Sequence, residues 1–311
     1  MLEVRKYTPE LKSQWDHLIR ISRADTFLFY RDYMDYHSDR FSDYSLLIYR
    51  KGNLEGVLPG NVTGSTFYSH QGLTYGGLVS TKKITSKEIL EIFQLVNNEL
   101  KHQGVNTVIY KTLPFIYHKT PSQEDVYALF RLGAEKIECN ISSTIFQSNK
   151  IPFTESRKSG IRKSRNCGVL VEESENFDSF WSVLNYNLNN KHGKTPVHNV
   201  SEIKFLKSLF PKNIALYIAS LENEIVAGCV VFVMGNVIHL QYMACSPGGK
   251  KIGALDILLD ELINKYFIDK PIFDFGHSNE QKGTYLNENL IFQKEGFGGR
   301  GVVYESYKYI L

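Results

Sequence analysis

The 311 residues are enough for two domains of ordinary size, and an apolar share of 42% beside a charged share of 22% is the balance of a water-soluble globular chain. A net charge of +3 argues against wholesale nucleic-acid binding and gives no reason to expect DNA as a partner. No run approaches the roughly 18 uncharged apolar residues of a membrane span, and Met1 to Lys6 has no apolar core of a signal peptide, so a cytoplasmic protein is expected.

In chain order, residues 2–7 read as a strand, and Pro9 opens a helix whose apolar face is Leu11, Trp15, Leu18 and Ile19. An aromatic helix is predicted over 27–40, a hairpin over 45–62 about Lys51-Gly52-Asn53, and further extended chain over 66–79. The period of Ile89, Leu90, Ile92, Phe93, Val96 and Leu100 predicts a helix over 84–101, followed by a strand at 105–110, a helix at 122–132 and a strand at 136–147. The segment 156–167 then crowds Arg157, Lys158, Arg162, Lys163 and Arg165 into one helix. Such a charge run is usually a solvated face; its functional alternative is contact with an anion, a nucleotide-sugar, a lipid phosphate or tRNA. A strand at 169–173, helices at 177–191 and 201–210, a hairpin about Glu222-Asn223 and a strand at 237–245 follow. The chain closes with a helix at 252–267, a strand at 272–275, a helix at 285–294 and a strand at 302–309. The two halves share one element order, which predicts an α/β (α+β) fold of two units, mixed and mostly antiparallel sheets flanked by helices, divided as 1–150 and 151–311.

The stretch from Asn236 to Ser278 reads most like chemistry. Pro247 ends a strand, Gly248 and Gly249 allow a sharp turn, and Lys250, Lys251 and Gly253 open a helix. Backbone N–H groups and a positive dipole end converge there, so Ser246, Gly248, Gly249, Lys250, Lys251 and Gly253 are expected to hold a phosphate or pyrophosphate, unless the turn is a plain strand-to-helix connection. Candidate bases lie at strand ends: Asp274, His277, His239 and Glu288. Strand alternation turns Asp274 away from Phe273 and Phe275, where it is a functional carboxylate or a satisfied structural acceptor. Alternation also puts His239 and Gln241 on one face and Tyr242 on the other. His192 beside Gly193 is accounted for by helix capping. Cys139, Cys167, Cys229 and Cys245 lack clip spacing and read as reduced thiols, and nine histidines without i,i+4 pairs predict no metal. There is no G-x-S-x-G elbow and no P-loop.

The element order, taken twice, resembles two tandem GNAT folds of the FemAB kind. The residues that carry the resemblance are Arg157 to Val171, Lys191-His192-Gly193, Ile225-Val226-Ala227-Gly228, Phe273-Asp274-Phe275-Gly276, Gly283-Thr284 and Phe292-Gln293-Lys294-Glu295-Gly296-Phe297-Gly298. The string His70-Gln71-Gly72-Leu73-Thr74-Tyr75-Gly76-Gly77 is similar to one in acyltransferase-type proteins of surface-polysaccharide gene clusters. The resemblance implies an N-acyltransferase moving an acyl group from acyl-CoA to a small-molecule or sugar- or peptide-linked amine of a cell-envelope or polysaccharide precursor. The second half would be the donor side and the first half a degenerate acceptor side. It places Lys294 near the acyl or phosphate group, and His70, Tyr75, Tyr242 and Arg162 at the substrate. Lys250 to Leu255 keeps Gly253 of the coenzyme A pattern but carries Leu255 where a small residue is expected. The alternatives are an aminoacyl-tRNA-dependent transferase of the peptidoglycan type and a non-catalytic binding protein of the same fold.

Overall fold

In a computed structural model, the backbone is described for residues 1–192 and 195–311 and the side chains for 1–188 and 195–311. The expected cap at His192-Gly193 therefore lies outside the described residues. Two compact units form: residues 1–141, 279–285 and 303–311, and residues 142–278 and 286–302. The division thus falls at 141/142 rather than at 150, and the C-terminal strand belongs with the first unit.

The first unit runs β1 (Leu2–Lys6), α1 (Lys12–Ile21), α2 (Arg31–Asp35), β2 (Leu46–Arg50), β3 (Asn53–Leu58), β4 (Asn61–Thr63), β5 (Thr66–Tyr68), β6 (Val79–Ser80), α3 (Ser86–His102), β7 (Thr107–Lys111), α4 (Glu124–Arg131) and β8 (Glu135–Phe146), whose last residues enter the second unit. Strands β1, β2, β3 and β6 form one antiparallel sheet, and β5 pairs parallel with β7. Helix α3 starts where the sequence directs it. Thr85 accepts from the Glu88 amide while the Glu88 carboxylate takes the Thr85 amide, a reciprocal cap. The hairpin at Lys51-Gly52 uses two left-handed residues, φ 51° and 80°. The aromatic helix expected over 27–40 shrinks to five residues, because Phe27, Leu28 and Phe29 enter the core from irregular chain and only Tyr33 and Met34 do so from the helix.

From residue 142 on, the chain runs α5 (Glu155–Asn166), β9 (Leu170–Ser174), α6 (Phe177–His192), α7 (Val200–Leu209), β10 (Ile214–Leu221), β11 (Glu224–Val233), β12 (Val237–Cys245), α8 (Pro247–Ile252), α9 (Ala254–Glu261), β13 (Ile272–His277), β14 (Asn279–Glu280), β15 (Tyr285–Leu286), α10 (Glu288–Gly296) and β16 (Arg300–Ile310), all in the second unit except β14, Tyr285 of β15 and β16 from Val303 onward. Strand order is β8-β13-β12-β11-β10-β9, antiparallel except for β12 with β13. Leu258, Leu259, Leu262 and Ile263 bury one face of α9 and the turn after it against Ile238, Leu240, Phe273 and Phe275.

Cys139 and Cys167 are exposed, whereas Cys229 and Cys245 are buried, and burial pushes the Cys229 thiol far up. An aromatic disulfide reagent is accordingly expected to titrate two thiols quickly in the native chain and the other two only after unfolding.

Candidate functional site

The parallel strands β12 and β13 are laddered over three pairs only: Val237 with Ile272, Ile238 with Phe273, and His239 with Asp274. β12 continues to Cys245 against β11, while β13 bends at Gly276, φ 72°. From Leu240 to Ala244 one backbone edge of β12 therefore has no strand ladder among the described residues, and at Cys245 the carbonyl accepts from Asn187 Nδ2 at 2.9 Å.

A bulge lies at this point. Leu240 faces Val231 and Tyr242 faces Val230, so Gln241 is the extra residue. It reverses the alternation: Ile238 and Leu240 pack into the core beneath α9, and past the bulge Met243 and Cys245 do so instead. His239 and Tyr242 thus share the other face. This corrects the expected pairing of His239 with Gln241, which assumed an unbroken period of two.

A cleft of about 370 Å³ opens beside the unpaired edge. Met243, Ala244 and Cys245 form one wall, Leu184, Asn187 and Leu188 of α6 another, and Lys250, Gly253, Leu255 and Asp256 a third. Leu290 and Gln293 of α10 and Arg157 of α5 complete it.

The glycine turn is built differently from its sequence reading. Ser246 is the N-cap of α8, with its Oγ accepting the Gly249 amide at 3.0 Å, and Pro247 is the first helical residue rather than a strand terminator. Gly248 and Gly249 are helical; the left-handed residue is Gly253, φ 77°. The Lys250 amide goes to the Ser246 carbonyl at 3.0 Å. Gly249, buried, and Gly253, partly buried, both answer to packing: a Cβ on Gly249 would lie 2.4 Å from the Val226 carbonyl oxygen, and one on Gly253 2.6 Å from that of Gly160. The start of α9 also carries Asp256, bonded to Arg157 at 2.7 Å. A carboxylate therefore holds the favourable position at the dipole end. Of the six residues expected to cradle a phosphate, Lys250 and Gly253 line the cleft, Ser246 and Gly249 shape the turn, and Gly248 and Lys251 are exposed outside it.

At the closed end of the gap, Asp274 is fully buried. Its Oδ2 accepts from His239 Nδ1 at 2.8 Å, and its Oδ1 accepts from the Ser142 hydroxyl and from Thr144 Oγ1 at 3.0 Å. Three donors converge on it, which suits an ionised carboxylate and sets the imidazole as the Nδ1–H tautomer. Phe273 and Phe275 point into the opposite core, as alternation required. Lys294 is buried and donates to the carbonyls of Gly276 at 2.7 Å and His277 at 2.6 Å. It thereby pins the bend at Gly276. Burial pulls its ammonium down to about 8, against the opposing charge of Asp274. The unfolded chain then binds more protons between pH 8 and 10.5, so the cost of burying this lysine is relieved as pH rises through that window. Denaturation of wild type and Lys294→Met across it is expected to shift in favour of wild type by up to about 1.4 kcal/mol per pH unit.

Tyr242 is tied to His198, whose amide donates to its oxygen at 3.1 Å and whose Nδ1 lies 2.7 Å away. His70 and Tyr75 are interior residues of the first unit. His70 stacks on His37 with centroids 5.3 Å apart, and burial pushes it down to about 3. Tyr75 bonds Thr26 at 2.7 Å. Neither lines the cleft, and Arg162 lies on the exposed side of α5. Within the basic run, Arg157 and Arg165 pair with Asp256 and Asp260 of α9, so part of it joins two helices. Asn187, Ser142 and Thr144 escaped the sequence reading. Ser142 and Thr144 sit in the polar run Ser142-Ser143-Thr144 of a largely polar strand, so no alternation marks them, and Asn187 had no signal either.

This arrangement of strands and helices is the fold seen in FemX and in a tandem GNAT protein. No protein-family model matches the chain, and no curated protein does. Among solved structures it is similar to FemX, at 11% identity and a TM-score of 0.71 over 99% of this chain and 97% of that one. It is likewise similar to L-PGS from Bacillus licheniformis, at 13% identity and a TM-score of 0.61 over 97% and 92% of the two chains. A tandem GNAT protein from the clavulanic acid biosynthesis pathway matches at 10% identity and a TM-score of 0.53 over 100% and 98%. Identities this low establish the fold. No described helix is long and apolar enough to cross a membrane.

Proposed function

We propose that the second unit is an N-acyltransferase domain that takes acyl-CoA as donor and an amine of a cell-envelope or polysaccharide precursor as acceptor. The observation that carries this reading is the ladder that stops at His239–Asp274 and leaves the edge of β12 open beside the cleft. An extended donor with amide groups can add to such an edge as a strand would, which orients its carbonyl at the bulge. His239, its Nδ1–H held by Asp274, keeps Nε2 as an acceptor and takes the proton that the attacking amine must lose. The leaving thiolate and the new amide then part. Lys250, held by Asn187 at 3.0 Å, supplies a cation at the cleft rim. The similar fold of the C-terminal domain of a putative lysylphosphatidylglycerol synthetase supports an envelope-related acceptor.

Calorimetry with coenzyme A and acetyl-CoA tests the donor. Binding is expected for wild type and not for Ala244→Arg, which fills the cleft. No heat with wild type at millimolar ligand removes coenzyme A. Salt-sensitive retention of aminoacyl-tRNA would then assign the donor to tRNA, and retention of neither would leave a binding protein of this fold.

A further inference from the structure

We propose that the groove along the outer side of α5 is a docking face for an anionic phospholipid surface. The groove, about 500 Å³, lies between α5 and the turn that follows α9. Lys158, Arg162 and Arg165 stand at i, i+4 and i+7 and so form one stripe on its wall, joined by Lys150. Their charge is only half consumed internally. Arg165 meets Asp260 at 2.9 Å, Lys158 and Arg162 share Glu155 at 2.9 and 3.7 Å, and Lys150 rests on the neutral amide of Asn264. Four cations thus face two carboxylates, and the side chains of Lys158, Arg162 and Arg165 are 44%, 63% and 58% exposed.

Beneath the cations the groove is lined by Ile151, Pro152, Phe153 and Ile161, with Ile151 38% exposed. A basic stripe over aliphatic side chains matches an interface of phosphate headgroups above acyl chain, where cations gain from the negative surface and an isoleucine enters the boundary. RNA fits less well. Its bases need rings to stack on, and the one ring in the groove, Phe153, is already edge-on to Phe297 at 5.2 Å. A free phosphate would leave the aliphatic lining unused. The face is separate from the cleft and does not depend on acyl transfer.

Co-sedimentation of the full chain with vesicles tests the assignment. Retention is expected on phosphatidylcholine containing phosphatidylglycerol and not on phosphatidylcholine alone. Lys150→Gln/Lys158→Gln/Arg162→Gln, all surface changes, is expected to weaken retention about tenfold or more. Ile151→Ser is expected to weaken it while leaving the thermal midpoint unchanged. Equal retention on both vesicle types, or no response to the triple variant, overturns the proposal. So does a groove-dependent gel shift with tRNA in the absence of vesicle binding, which would make the face an RNA surface. Competition by inorganic phosphate as effective as that of vesicles would make it an ion site and overturn it as well.

Discussion

Replacing Asp274 with alanine is expected to destabilise the chain by about 3–5 kcal/mol and to abolish transfer. The carboxylate is fully buried and is the shared acceptor for Ser142, Thr144 and His239. Removing it orphans three donors away from water, each at a cost of roughly 1–3 kcal/mol. Asp274→Asn separates structure from chemistry. Its carbonyl oxygen still serves the two hydroxyls, so the loss of stability falls to about 1–2 kcal/mol. Its amide, however, faces His239 Nδ1 and forces the other tautomer, with Nε2 carrying the proton. Transfer is then expected to drop by roughly 10²–10⁴, as for loss of a general base. Urea denaturation reads the first effect and a single-turnover acyl-transfer assay the second. An Asp274→Ala chain as stable as wild type would refute the network, and an active Asp274→Asn enzyme would remove the base.

The second large effect concerns the glycines. Gly253→Ala is expected to cost about 3 kcal/mol: roughly 1–2 for a side chain in the left-handed region and 1–3 for pressing a Cβ onto the Gly160 backbone, 2.6 Å away. Gly248→Ala, five residues earlier in the same motif, has open space and helical backbone. It is expected to be neutral or to stabilise by up to about 1 kcal/mol. Thermal or urea unfolding of the two variants decides between them. Equal effects would mean that neither glycine is held by packing.

Local rules carried the reading of most elements. The reciprocal cap at Thr85–Glu88, the left-handed turn at Lys51-Gly52 and the helical period of α3 and α9 are each set within a few neighbouring residues, and each stands where the sequence places it. The same confidence fails at Pro247. As a first helical residue and as a strand terminator it satisfies the same local preferences, and the choice between them rests on Ser246 capping the Gly249 amide. The site shows the same limit. Asp274 stood out because a carboxylate between two phenylalanines demands partners. Its partners Ser142 and His239 lie 132 and 35 residues away, and no local pattern names them.

The sequence alone determined the repeated order of elements, the opposite orientation of Asp274 and its flanking rings, and the burial of the Leu face of α9, because each follows from a period of two or 3.6 within one segment. The tertiary structure decided where the β12–β13 ladder ends, which face Tyr242 takes past the bulge at Gln241, and that Gly253 serves a helix crossing. Those outcomes depend on how a strand or helix meets another brought from elsewhere in the chain. A one-residue change of register there reverses every later side chain, and only the packed partners select it.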